Sequence, residues 1–212
     1  MPNAKPSLWH RLKKRLRLLP IRMYQRLRIW KYKFFSDIHR CDRLARFNQP
    51  VLIVGRGRVK LGHYNLGVWP SPYFLSGYIH IEVREATATI EIEDGVWINN
   101  SAVIIAERST IRIGANTLIG SEFTVYDSDF HDLHPERRLS GTHACIPVTI
   151  GQNVFIGSRV MVLKGVSVGE NSVIASGAVV TRSVPANSIV AGVPARVIAT
   201  TPAGQNHIAR KV

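Results

Sequence analysis

The chain has 212 residues, 45% of them apolar, and a formal net charge of +14. That length gives one moderate domain with an appendage, and no apolar run approaches the roughly 20 residues that a membrane span requires. Two cysteines, Cys41 and Cys145, cannot staple a disulfide scaffold, and the N-terminus lacks the apolar stretch and cleavage site of a secretory signal, so a cytoplasmic location is expected.

Residues 1–50 carry 14 Lys and Arg against Asp37 and Asp42, so +12 of the net charge lies there. The remainder is nearly neutral and offers no basic groove, which argues against a nucleic-acid partner. Residues 1–48 read as a basic helical extension of two amphipathic helices divided at Pro20. Leu8, Leu12, Leu16 and Leu19 share a face of the first. Met23, Leu27, Trp30 and Phe34 line up on the second, flanked by Arg22, Arg26, Arg28, Lys31 and Lys33. Two readings stand side by side. Residues 1–35 associate peripherally with an anionic membrane, or the apolar stripe caps the domain that follows or packs in an oligomer.

Residues 49–90 read as irregular β structure punctuated by Pro50, Pro70 and Pro72. From residue 91 a stricter rule takes over. Ile92, Ile98 and Ile104 recur at intervals of six, and Ile113, Ile119 and Val125 resume the interval after a slip of three. The same interval then governs Ile150, Ile156, Val162, Val168, Ile174 and Val180. A period of six fits neither a helix nor an alternating strand, so it predicts a solenoid: three hexads per coil, the aliphatics stacked into a core. Gly114, Gly120, Gly151, Gly157 and Gly169 follow the aliphatics and are expected to permit the turns. The frame is lost only over residues 126–147, a stretch rich in ionisable groups that must be an extruded loop. Residues 183–200 close the domain of residues 49–200, and 201–212 form a polar tail.

The run from Val148 to Arg182 and the closing Ala191-Gly-Val-Pro-Ala-Arg-Val-Ile198 resemble the hexapeptide-repeat acyltransferases. Within these, the galactoside, maltose and xenobiotic acetyltransferases and the polysaccharide O-acetyltransferases are most similar. The resemblance covers residues 90–198 well, 50–90 loosely and the N-terminal extension not at all. It implies a left-handed parallel β-helix, a homotrimer with sites between subunits, and acetyl-CoA as co-substrate. The implied reaction is O-acetylation of a sugar hydroxyl, on a polysaccharide or glycolipid precursor; the basic amphipathic helices motivate the glycolipid, a lipid-linked acceptor reached peripherally at the inner membrane. Transfer to an amino sugar or a small diffusible acceptor, and a non-catalytic scaffold, remain as alternatives.

By the same resemblance His131, opening His131-Asp-Leu-His134-Pro-Glu-Arg-Arg138, is the general base. A neutral imidazole placed at the acceptor hydroxyl accelerates such a step by roughly 10²–10⁴. Its other nitrogen needs an acceptor, for which Asp127, Asp129 or a backbone carbonyl qualifies. Asn99 matches a residue that binds the acceptor hydroxyl or polarises the thioester, and Glu107 an acidic residue that contacts the sugar, with His134 and Arg138 beside it. Ser158 is expected near the thioester. Lys164, Arg182 and Arg196 are expected at the CoA phosphates, and Phe155 at the pantetheine arm or a neighbouring subunit. No metal is expected. His131, His134 and His143 supply three imidazoles, but all in one loop, unlike zinc ligands spread over adjacent coils.

Overall fold

A computed structural model describes residues 8–37 and 46–202 of the protein. Residues 1–7, 38–45 and 203–212, which include Cys41 and most of the expected polar tail, lie outside the described residues.

The six-residue period becomes three parallel sheets wrapped as a triangular prism. The first face runs through Arg46–Phe47, Asn65–Leu66, Trp97–Ile98, Leu118–Ile119, Phe155–Ile156, Val173–Ile174 and Ser188–Gly192, with Ala195–Thr200 antiparallel at its end. The second face holds Val51–Gly55, Ile79–Val83, Val103–Ala106, Thr124–Tyr126, Met161–Val162 and Val179–Val180. Arg58–Leu61, Thr89–Ile92, Thr110–Ile113, Val148–Ile150 and Ser167–Val168 make the third. This is a left-handed parallel β-helix.

Register explains the period. Ile98, Ile119, Ile156 and Ile174 are successive partners on the first face. Ile104, Val125, Val162 and Val180 do the same on the second, and Ile92, Ile113, Ile150 and Val168 on the third. Each column is buried, so the prism interior is an aliphatic stack. The offset of 18 residues between neighbours stretches to 21 where the slip of three falls, and the loop lengthens it further.

The glycines serve a purpose other than the expected one. Gly114, Gly120, Gly151, Gly157 and Gly169 do not have positive φ. A Cβ on Gly114 would stand 2.6 Å from the Gln152 nitrogen, and one on Gly151 2.7 Å from that of Glu170. They permit close approach of one coil's backbone to the next. The left-handed turn conformation falls two residues later, on Asn116, Glu122, Asn153, Arg159 and Asn171. Asparagine tolerates that conformation, and Asn153 donates to Asn171 one coil on at 2.8 Å.

Pro20 does not divide the N-terminal segment. A single helix, α1, spans Leu8–Phe34 with Pro20 inside it. A proline removes one N–H and crowds the preceding turn, at about 3 kcal/mol. Strong helix formers flank it, and the downstream half is anchored to the prism. Gln25 is buried and donates to the Phe74 carbonyl at 2.7 Å, and Arg28 donates to the Gly77 carbonyl at 2.6 Å. Tyr32 and Tyr78 pack with ring centroids 4.9 Å apart. Beyond the helix, Ser36 and Asp37 bond along Val51–Gly55, covering an edge strand whose groups would otherwise be open to pairing.

The close approach at Gly114 predicts that Gly114→Ala lowers unfolding free energy by about 1–3 kcal/mol through overpacking, although its φ suits alanine. Denaturant titration measures this; unchanged stability would mean that the coils separate freely.

Candidate functional site

Residues 127–147 leave the prism at the corner between the second and third faces. One coil earlier the slip of three, Glu107-Arg108-Ser109, widens that corner and leaves three backbone N–H groups turned inward. Asp127, fully buried, gathers all three: its carboxylate accepts from Glu107 N at 2.8 Å, Arg108 N at 3.2 Å and Ser109 N at 2.8 Å. Its own carbonyl accepts from Ile146 N at 2.8 Å, tying the loop's exit to its entrance.

Above this anchor lies a second cluster. The Glu107 carboxylate accepts from Ser128 Oγ at 2.5 Å, lies 2.7 Å from His143 Nε2 and takes the Cys145 thiol at 3.7 Å. Arg108 donates to Cys145 Sγ at 3.3 Å and to the His143 carbonyl at 2.7 Å. Burial pushes the Glu107 carboxyl up, yet hydrogen bonds from Ser128 and His143 and the charge of His143 and Arg108 outweigh it, leaving its pKa below the ordinary 4.5. Burial likewise lifts the Cys145 thiol. Glu107, expected at the sugar, is therefore turned into the loop base. Glu107, His143 and Cys145 are the described residues grouped closely enough to hold a metal ion, and they already satisfy one another. The three imidazoles His131, His134 and His143 do not form such a group.

At the loop's outer turn His131 is exposed, with Nδ1 3.1 Å from the Arg138 carbonyl. Of the acceptors open in the sequence, the backbone carbonyl is the one in contact. With the proton on Nδ1, the lone pair of Nε2 faces outward. The turn is built by Asp132, which accepts from His134 N at 2.8 Å and lies 3.4 Å from Arg137, and by a 3₁₀ turn over Pro135–Arg137. Phe130, in the left-handed region, packs edge-on to Tyr126 and carries the Arg84 guanidinium over its ring at 4.5 Å. His134 and Arg138 are exposed next to His131.

Asp129 does not touch His131. It pairs with Lys164 at 2.6 Å, so an expected orienting acid and an expected phosphate-binding cation hold each other. Lys164 and Arg182 stack at the same corner as the loop, and Arg182 is exposed. Arg196 is exposed on the terminal hairpin. Asn99 and Ser158 sit at the corner between the first and second faces. Asn99 contacts Ser71 Oγ at 3.2 Å and Asn100 N at 2.8 Å, while Ser158 lies 3.2 Å from Ser121. Phe155 is exposed on the first face. One chain thus places Asn99 and His131 at different corners of the prism.

Ser128 escaped the sequence reading, and so did the part that Asp127, His143 and Cys145 play in fastening the loop. The slip at 107–109 was the available signal, because a widened corner must find partners for its backbone.

The family model described as hexapeptide repeat of succinyl-transferase matches residues 147–182. Galactoside O-acetyltransferase of Escherichia coli (strain K12) is 43% identical over 134 residues, 63% of this chain and 60% of that protein. The chain therefore spans less than two thirds of that relative. The crystal structure of a hexapeptide-repeat containing acetyltransferase from Vibrio cholerae is 32% identical, with a TM-score of 0.54 over 67% of this chain and 73% of that one. A structure of the Vibrio cholerae O1 biovar eltor protein complexed with acetyl coenzyme A shares the fold at 23% identity, with a TM-score of 0.50 over 81% and 74% of the two chains.

Asp127→Ala is expected to cost about 2–4 kcal/mol, since three buried N–H groups lose a charged acceptor, and to loosen the loop; thermal unfolding and proteolysis within 127–147 read both. The depressed Glu107 pKa carries a pH signature. Its contribution is present above the unfolded value of 4.5 and fades as pH falls through the lower folded value. Glu107→Gln should therefore be less stable than the parent at neutral pH, with the gap closing below pH 4.5; a pH-independent gap would contradict the ionic account.

Proposed function

The chain belongs to the hexapeptide-repeat acetyltransferase family, and we propose that it moves the acetyl group of acetyl-CoA to a hydroxyl of a sugar. The acceptor we favour is a polysaccharide or glycolipid precursor. The observation that carries this reading is the exposed His131, its Nδ1 committed to the Arg138 carbonyl and its Nε2 left to accept a proton. The acceptor hydroxyl attacks the thioester carbonyl carbon while Nε2 takes its proton. The tetrahedral intermediate then expels the CoA thiolate, which recovers that proton from the imidazolium.

The remaining roles are those that the family resemblance implies. Asn99 holds the acceptor hydroxyl or the thioester oxygen, and Ser158 donates to the developing oxyanion. Arg182 and Arg196 face solvent as partners for the CoA phosphates, with Lys164 beside them on Asp129. Asp129 positions the loop's first residues through that ion pair. Glu107 acts from beneath, fixing the loop through Ser128 and His143, while His134 and Arg138 line the acceptor side. No metal takes part in this scheme.

Asn99 and His131 at different corners support a site made by two chains, in a homotrimer whose neighbouring prisms bring one corner against the next. His131→Ala should reduce thiol release from acetyl-CoA by about 10²–10⁴ with thermal unfolding nearly unchanged. Asn99→Ala should also be impaired. When the two variants are refolded together in equal amounts, about a quarter of the sites regain both side chains and activity returns in proportion. A mixture as inactive as its components would overturn the shared site, and a fully active His131→Ala would overturn the base.

A further inference from the structure

We propose that the outward face of α1 is a docking surface for an anionic lipid bilayer, holding the prism against a membrane without crossing it. The helix Leu8–Phe34 contains ten Lys or Arg and no Asp or Glu.

Its two apolar faces point in opposite directions. Leu18, Ile21 and Ile29 turn inward beside Gln25 and line, with Val68, Trp69, Phe74 and Trp97 of the first coils, a groove that the Gln25 and Arg28 hydrogen bonds to the Phe74 carbonyl close at one side. At 100° per residue the face opposite carries Leu16, Leu19, Met23, Leu27, Trp30 and Phe34. These six are between 46% and 74% exposed, although they are the residues that a helix would normally bury. Trp30 and Phe34 stack on each other at 6.2 Å and reach outward together. The sequence pattern offered capping and membrane association as uses of one stripe; in the fold the residues of that stripe face outward, and the helix meets the prism through Gln25 and Arg28 on its other side.

The charges select the occupant. Exposed Arg22, Arg26 and Lys33 border the outward face on one side, exposed Arg17 and Lys31 on the other. A second copy of this face would bring cation against cation with no acidic side chain on the helix to offset them. Anionic headgroups complement both borders, while the apolar ridge enters the boundary between headgroups and acyl chains and the cationic stems reach back to the surface. No helix of the described chain is long and apolar enough to span a bilayer, so the attachment is peripheral.

The test is co-sedimentation of the full chain with phosphatidylglycerol-containing vesicles, pure phosphatidylcholine vesicles serving as comparison. The protein is expected to pellet with the anionic vesicles, to bind neutral ones far less, and to release at about 0.5 M salt, where charge screening is strong. Leu27→Glu combined with Trp30→Glu should cut anionic-vesicle binding by at least about tenfold. Because both side chains are exposed, thermal unfolding and acetyl-CoA hydrolysis or transfer should hold at parent values. Three results would overturn the proposal: a parent protein that stays in the supernatant, equal binding to both vesicle types, or a double variant whose native mass changes while its vesicle binding does not. The last would assign the face to a second copy of the chain. None of these readouts depends on which acceptor the site uses.

Discussion

The irregular segment of this prism is fastened at one corner, where a buried carboxylate holds three backbone N–H groups. A regular hexapeptide corner satisfies its own amides through the neighbouring coil. Lengthening it at 107–109 breaks that arrangement and creates a ring of donors, and Asp127 closes the ring from the coil above. Because the same residue starts the loop and its carbonyl receives Ile146, the irregular segment is fastened at both ends to a rigid stack. Glu107 and its partners Ser128, His143 and Cys145 thicken the fastening. The exposed His131 imidazole thus stands on a loop whose two ends are hydrogen-bonded to each other and to the coil beneath.

The stack imposes a second constraint. Consecutive hexads turn through three corners, so residues six apart in sequence are sent to different sides of the molecule, while residues eighteen apart lie one above another. Asn99 and Ser158 consequently share one corner, and Lys164, Arg182 and the loop another. In the proposed scheme, a reaction using groups from both corners draws them from two prisms, and Leu118 and Phe155, exposed on the first face, are side chains that a neighbouring copy would cover.

The N-terminal helix solves a different problem. Parallel coils end in open strand edges, and Ser36 and Asp37 close one of them while Gln25 and Arg28 clamp the helix onto the first turns. A helix with a single apolar stripe would be spent on that contact. This one carries a second stripe bordered by cations, which separates the basic extension from the nearly neutral prism in charge as well as in shape.

The sequence by itself determined the coil, its core and the place of the loop, because a six-residue period calls for stacked three-hexad coils and an interruption is pushed out at a corner; the hand of the coil did not follow from the spacing. It also marked His131, through the family pattern around it. What it left open was which acceptor holds Nδ1, since sequence spacing does not say which carboxylate or carbonyl the loop folds against the ring; folding brought the Arg138 carbonyl there and sent Asp129 to Lys164. The role of the glycines was likewise hidden, because a tight turn and a close approach select the same residue, and only the neighbouring coil distinguishes them. The two helix faces were hidden because periodicity reports that a face is apolar while tertiary contacts alone decide what covers it, and the helix runs through Pro20 because its downstream half is anchored to the prism.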